Sequence, residues 1–348
     1  MRVGRRRLAF AAVLGGLVLS CVASAPASVA APRAAGLPAH VYAPYFETWT
    51  TDSLTTTAQE SGARYFALAF LETLGKSSCT LAWNGSKTDT ISSKRYVSDI
   101  ASLRAAPLNG DVIPSFGGWS ADQGGTEIAD SCNDVDAIAA AYESVITTYN
   151  VTRLDMDVEG RSLTRTAGID RRNRALRLVE EWAAAQGRAF QVSYTLPTTP
   201  SGLESTGLAI LQNAIANGTR VDVVNIMTFD YYDRVTTDMG AAAISAAHGL
   251  FDQLHSLYPG KTTAQLWAME GNTILPGIDD YPKKTEVTYL ADAQRLLDFA
   301  TKQGLNTVSI WAIQRDNGGC PGTTDSNSCS GIVQGTWDFT HLLAPFSG

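Results

Sequence analysis

Val151 to Gly160 reads VTRLDMDVEG, and the interpretation of this stretch decides the fold. A β-strand sends successive side chains to opposite faces. Asp155, Asp157 and Glu159 therefore share one face, and Leu154, Met156 and Val158 share the other. An unpaired buried charge is so costly that such groups share protons, find partners or shift their pKa. A solvated edge strand is the plain alternative. Met156 and Val158 opposite the acids instead suit a strand covered by helices. The functional reading is an acid/base site at the end of a buried strand.

The rest of the chain keeps one beat around this stretch. Apolar, β-rich runs are expected at 41–49, 64–72, 111–119, 151–159, 189–197, 221–229, 264–272 and 307–315. Helical spacing fills the gaps at 96–105, 135–149, 169–186, 203–216, 241–257 and 289–303, with Asn133 or Asp134 placed to cap the second. Gly187, Gly218, Gly260 and Gly304 fall where helices should stop. Strands alternating with helices mean parallel βαβ units, and eight of them fit a (β/α)8 TIM barrel. The doubly wound sheet is the rival, but no G-x-G-x-x-G follows the first run. One catalytic domain is expected over residues 38–348, with a last helix around 337–343.

Composition sets the class. The chain has 348 residues, 45% of them hydrophobic, and a formal net charge of -7. That balance argues against a nucleic-acid surface and a polybasic membrane patch. The N-terminus differs from the rest. Arg2, Arg5, Arg6 and Arg7 precede an apolar run from Leu8 to Ala23 and an Ala/Ser/Pro-rich stretch to Ala35. This is the layout of a secretory signal peptide over residues 1–30. A twin-arginine signal at Arg5-Arg6 and a lipoprotein box ending at Cys21 are the variants. No later stretch is apolar enough to span a bilayer, so the expectation is a secreted, extracellular monomer. Removing the signal leaves Cys79, Cys132, Cys320 and Cys329. Four cysteines in an exported chain imply two disulfides with three possible connectivities. A local bridge between Cys320 and Cys329 is the natural pairing, which leaves Cys79 with Cys132. Zinc is disfavoured, because no C-x-x-C occurs and the four histidines are scattered.

A barrel gathers its active site at the C-terminal ends of its strands. There the sequence places Glu159, Ser115-Phe116-Gly117-Gly118, Tyr194, Met227, Phe229, Asp230, Glu270, Trp311 and Gln314. The first two runs end in Glu47-Thr48-Trp49 and Glu72-Thr73. Carboxylates beside rim aromatics point to carbohydrate. Glycoside hydrolysis needs an acid against the leaving oxygen, and Glu159, last on its strand, is the natural donor. Asp155 and Asp157 would share a proton, and Asp157 would help keep Glu159 protonated. Magnesium or calcium would suit carboxylates, but a barrel metal site usually draws on several strands and no histidine accompanies this row. Neither metal nor cofactor is expected.

At these residues the chain resembles a glycoside hydrolase family 18 chitinase. Leu154–Glu159 matches the family's D-x-D-x-E, Ser115–Gly118 its S-x-G-G, and Met227–Asp230 is similar to its M-x-Y-D. Trp311 matches the tryptophan that floors the sugar subsite beside the cleaved bond, and WAIQRD at 311–316 is similar to the bacterial chitinase D-like branch. The resemblance implies a substrate-assisted retaining mechanism on chitin or another N-acetylglucosamine polymer. Glu159 would protonate the glycosidic oxygen, the substrate's own acetamido carbonyl would attack, and Asp157 would orient that group while Asp155 sets its charge. Met227, Phe229, Asp230, Ser115, Gly117, Gly118 and Gln314 would line the substrate site. Three departures stand out. Thr152-Arg153 replace the family's Asp-Gly, Val158 stands where many members carry Trp, and Phe229 replaces a Tyr that hydrogen-bonds the acetamido carbonyl. Tyr194 or Tyr231 is the expected substitute hydroxyl. An endo-β-N-acetylglucosaminidase acting on N-glycans and a catalytically silent sugar-binding protein are the competing functions.

Overall fold

The computed structural model describes Met1 and residues 36–280, 285–323 and 327–348. The expected signal segment therefore lies outside the described residues. Eight parallel strands form the barrel: β1 in two pieces (Val41–Tyr42 and Tyr45–Glu47), β2 (Tyr65–Thr73), β3 (Asp111–Gly117), β4 (Arg153–Asp157), β5 (Gln191–Thr199), β6 (Val223–Met227), β7 (Glu270–Ile274) and β8 (Thr307–Ile310). Pro44 breaks β1, since proline has no N–H for the ladder. The break lets one strand close the ring. Val41 and Tyr42 pair with β8, while Tyr45 to Glu47 pair with β2.

The helices that follow the strands around the barrel are α1 (Leu54–Ser61), α2 (Val97–Arg104), α3 (Val135–Tyr149), α4 (Thr166–Ala185), α5 (Ser205–Ala216), α6 (Met239–Leu257), α7 (Leu290–Gln303) and the short α8 (Asp338–Leu343). α3 shows the local logic. Asp134 accepts the N–H groups of Asp136 and Ala137 at 3.0 and 3.2 Å, and Asn150 ends the helix in the left-handed region. Between these caps Ile138, Tyr142, Val145, Ile146 and Tyr149 recur at helical spacing and are buried against the sheet. Among the described residues no helix is long and apolar enough to cross a membrane.

Strand parity sorts the interior into two layers. Leu154, Met156 and Val158 join the apolar shell between sheet and helices. The opposite faces point to the barrel axis and carry small or polar groups. Asn225 donates to Thr195 and Thr273 there at 3.0 and 2.7 Å.

The seventh strand departs from expectation. Thr262 and Gln265 form a capping box, so Thr263–Trp267 is helical and β7 starts at Glu270 instead of ending near it. Glu270 thus sits at the N-terminal end of the barrel, away from the catalytic rim. Both disulfides pair as expected, Cys79 with Cys132 and Cys320 with Cys329. The first ties the loop after β2 to the loop after β3.

Candidate active site

β3 delivers the turn that shapes the site. Gly117 and Gly118 have φ of +100° and +81°, a region that side chains rarely adopt. A Cβ on Gly117 would lie 2.2 Å from the Asp157 carbonyl oxygen, and one on Gly118 2.5 Å from the Phe70 ring. Only glycine lets β3 pass this close to β4 and then turn into the short helix Trp119–Gly124.

The acids descend into the barrel behind that turn. Asp155 is buried and accepts four hydroxyls: Tyr45 at 3.0 Å, Ser115 at 2.7 Å, and Ser193 and Thr195 at 2.8 Å each. Burial pushes its pKa up and these hydroxyls pull it down, with burial the larger effect. Below it Arg153 is also buried, donating to Gln191 and Thr307. Asp157 is buried too, and its Oδ1 has no hydrogen-bond partner among the described residues. Burial and then the charge of Glu159, with smaller effects of Asp155 and Asp122, drive its pKa well up. Glu159 is the most open of the three and partly exposed. Burial raises its carboxyl to about 7, while a hydrogen bond from the Trp119 N–H opposes the rise. Its own backbone N–H donates to Asp122, which is fully buried.

No hydrogen bond links Asp155 to Asp157 among the described residues. The hydroxyls occupy both oxygens of Asp155, and after burial the charge of Glu159 is the largest effect on Asp157.

Aromatic rings wall the mouth. Trp311 stacks on Phe70 with ring centroids 5.4 Å apart and lies 5.5 Å from Tyr45 and 6.2 Å from Trp49. Met227, Phe229, Met239 and Leu275 pack together, with Tyr231 and Trp311 against them. Gln314 accepts the Glu47 N–H at 3.1 Å, next to the Trp311 turn. Asp230 is tied to its own neighbours. Its N–H donates to Asp279 at 2.9 Å, and burial, with the adjacent Asp279, raises its carboxyl to about 10. Asp238 caps the following helix α6.

Residues 41–288 match the family described as Glycosyl hydrolases family 18. The chain belongs to that family. It is 34% identical over 323 residues to a probable bifunctional chitinase/lysozyme of Escherichia coli (strain K12), covering 89% of this chain and 35% of that protein. It is also 34% identical over 290 residues to Endochitinase 11 of Metarhizium anisopliae, covering 80% and 53% respectively. The chain thus spans between a third and about half the length of these two relatives. The solved catalytic domain of a hyperthermophilic chitinase from Pyrococcus furiosus superposes with a TM-score of 0.78 at 31% identity, covering 91% of this chain and 97% of that one.

Of the two residues expected to supply the hydroxyl missing from Phe229, Tyr194 lies elsewhere. Tyr194 pairs with Met156 in register, so its side chain faces the helices. It is fully buried, and its hydroxyl donates to Asn173 of α4 at 2.6 Å. Tyr231 packs against the Met227–Phe229 cluster beside Trp311, and its buried hydroxyl has no hydrogen-bond partner among the described residues. The polar neighbours on β5 are instead Ser193 and Thr195. The alternation Val192, Ser193, Tyr194, Thr195, Leu196 carried that signal, because the apolar members set which face is outward. Tyr45 was findable in the same way from Tyr45 and Glu47 on the first run. Asp122 sits in a loop helix and carried no periodic signal.

Proposed function

We propose that this family 18 chain is a secreted chitinase of the bacterial chitinase D-like kind. It would hydrolyse β-1,4 bonds between N-acetylglucosamine units by a substrate-assisted retaining mechanism. The observation that carries the reading is the buried Asp157 oxygen left without a donor between a hydroxyl-saturated Asp155 and a partly exposed Glu159. A buried acceptor without a partner is costly, and the N–H of a 2-acetamido group is the donor that fits it. Glu159, held near neutrality in its proton affinity, protonates the glycosidic oxygen. The acetamido carbonyl attacks the anomeric carbon, the leaving sugar departs with the proton, and Asp157 holds the acetamido N–H of the oxazolinium ion. Glu159 then takes a proton from water, which opens the ring with retention. Asp155, fixed by its four hydroxyls, sets the charge felt by Asp157. Trp311, flanked by Phe70 and Tyr45, is the sugar platform, and Met227, Phe229, Asp230 and Gln314 frame it.

Phe229 favours a second reading, in which sugar binding persists and turnover is slow, because no hydroxyl stands at that position to meet the acetamido carbonyl. One experiment separates the readings. The protein is incubated with chitin oligosaccharides and, separately, with a high-mannose N-glycoprotein, and the products are analysed. Short N-acetylglucosamine oligomers support the chitinase. Release of the glycan alone refutes it in favour of an endo-β-N-acetylglucosaminidase. Oligomer binding without any product means a sugar-binding protein.

A further inference from the structure

We propose that Asp122 is a positioning residue for Glu159, supplying the backbone acceptor that the sheet itself fails to provide. The inference rests on the reading of Glu159 as the acid. Along a strand, successive N–H groups donate to opposite sides. Val158 donates to Thr195 of β5 at 3.0 Å, so the Glu159 N–H points toward β3. There β3 has already left the sheet at Gly117-Gly118, and the last ladder bond is Gly118 N–H to Asp157 at 3.1 Å. A carboxyl oxygen of Asp122 takes the empty acceptor place.

The short helix Trp119–Gly124 makes the arrangement rigid. Asp122 donates its N–H to Gly118 at 3.0 Å, in the first turn of this helix. The N–H of Trp119, the first residue of the same helix, acts to lower the Glu159 carboxyl's pKa. One helix therefore holds the backbone of Glu159 through Asp122 and bears on its carboxyl through Trp119. The loop beyond is anchored in turn. Glu127 pairs with Arg172 of α4 at 2.9 Å, both buried, and Asp130 meets Ser162 and Arg165. Cys132 closes the loop through Cys79.

The charges facing this pair are Asp157 and Asp155 from β4, Glu127 from the loop after β3 and Arg172 from α4. Burial first, then Glu127, push the Asp122 carboxyl well above the usual range. What the geometry shows it contributing is an acceptor at a fixed place. Asparagine has the same shape and keeps that acceptor, whereas alanine removes it.

The test compares Asp122→Ala, Asp122→Asn and Glu159→Gln in the full chain, assayed for kcat, KM and pH profile on chitin oligosaccharides. A displaced reacting group lowers rate steeply, so D122A is expected to lose about 10²-fold in kcat with KM changed by less than about threefold. Its alkaline limb should move to lower pH, because a freed Glu159 gains solvent. D122N should restore kcat to within about fivefold and the limb of the parent, since the acceptor is back. Parent-like kcat in D122A, or a D122N as impaired as D122A, overturns the proposal. Where D122A does not fold, hydrogen exchange on the parent decides: a protected Glu159 amide is expected, and exchange at the rate of an open loop overturns it. An inactive E159Q beside an unaffected D122A sinks only this inference, while a fully active E159Q sinks the reading of Glu159 itself.

Discussion

Glu159→Gln should make the protein more stable in alkali while cutting turnover steeply. The carboxyl titrates at about 7 in the fold against 4.5 for a free side chain, chiefly through burial. The folded chain therefore holds this proton more tightly than the unfolded chain. Between those two values the folded state binds more protons, so the contribution of this group to stability falls as pH rises through that window. Each tenfold difference in proton affinity is about 1.4 kcal/mol, so keeping Glu159 ionised in place near pH 8 costs the fold about 3 kcal/mol. Glutamine has no such cost and keeps an oxygen for the Trp119 N–H. Removing the charge also lets Asp157 ionise more readily, which acts in the same direction. The assay is urea unfolding of parent and variant near pH 4, 6 and 8, by the linear extrapolation. The variant should match the parent near pH 4 and exceed it by about 3 kcal/mol near pH 8, with hydrolysis lowered by roughly 10²–10⁴-fold for loss of a general acid. Equal pH slopes in the two proteins would refute the buried-acid argument.

Other expectations follow from the same geometry. Serine replacement of Cys79 and Cys132, which close a 53-residue separation, should cost about 4 kcal/mol in urea unfolding. Replacement of Cys320 and Cys329, separated by 9, should cost only about 2.5 kcal/mol. An inverted order would show that the two loops are not free in the unfolded chain. Gly117→Ala places a Cβ against the Asp157 carbonyl at a φ of +100°. The backbone strain alone should lower stability by about 1–3 kcal/mol, visible as a lower melting temperature, and a parent-like melt would contradict the close approach of β3 and β4. Phe229→Tyr places a hydroxyl beside Trp311 and should raise kcat on chitin oligosaccharides by about 10- to 10²-fold. An unchanged kcat would mean that another group already meets the acetamido carbonyl.

The sequence by itself determined the barrel and the acid row. Both depend on short-range alternation. Period two along β4 fixes which side of the strand carries Asp155, Asp157 and Glu159, and the alternation of strand and helix fixes the parallel sheet. It also determined the two disulfides, because only four cysteines remain beyond the expected leader and one pair brackets a short loop. The same alternation, read on β5, already held the answer that Tyr194 faces the helices and Ser193 and Thr195 the acids. The tertiary structure decided what no local pattern encodes. The capping box at Thr262 moved β7 and took Glu270 away from the rim. Four hydroxyls from β1, β3 and β5 converge on Asp155 and occupy both of its oxygens. Asp122 reaches the Glu159 backbone from a loop helix 37 residues earlier. Such contacts join groups far apart in the chain, and ring closure, not the periodicity of any one segment, sets the distance between them.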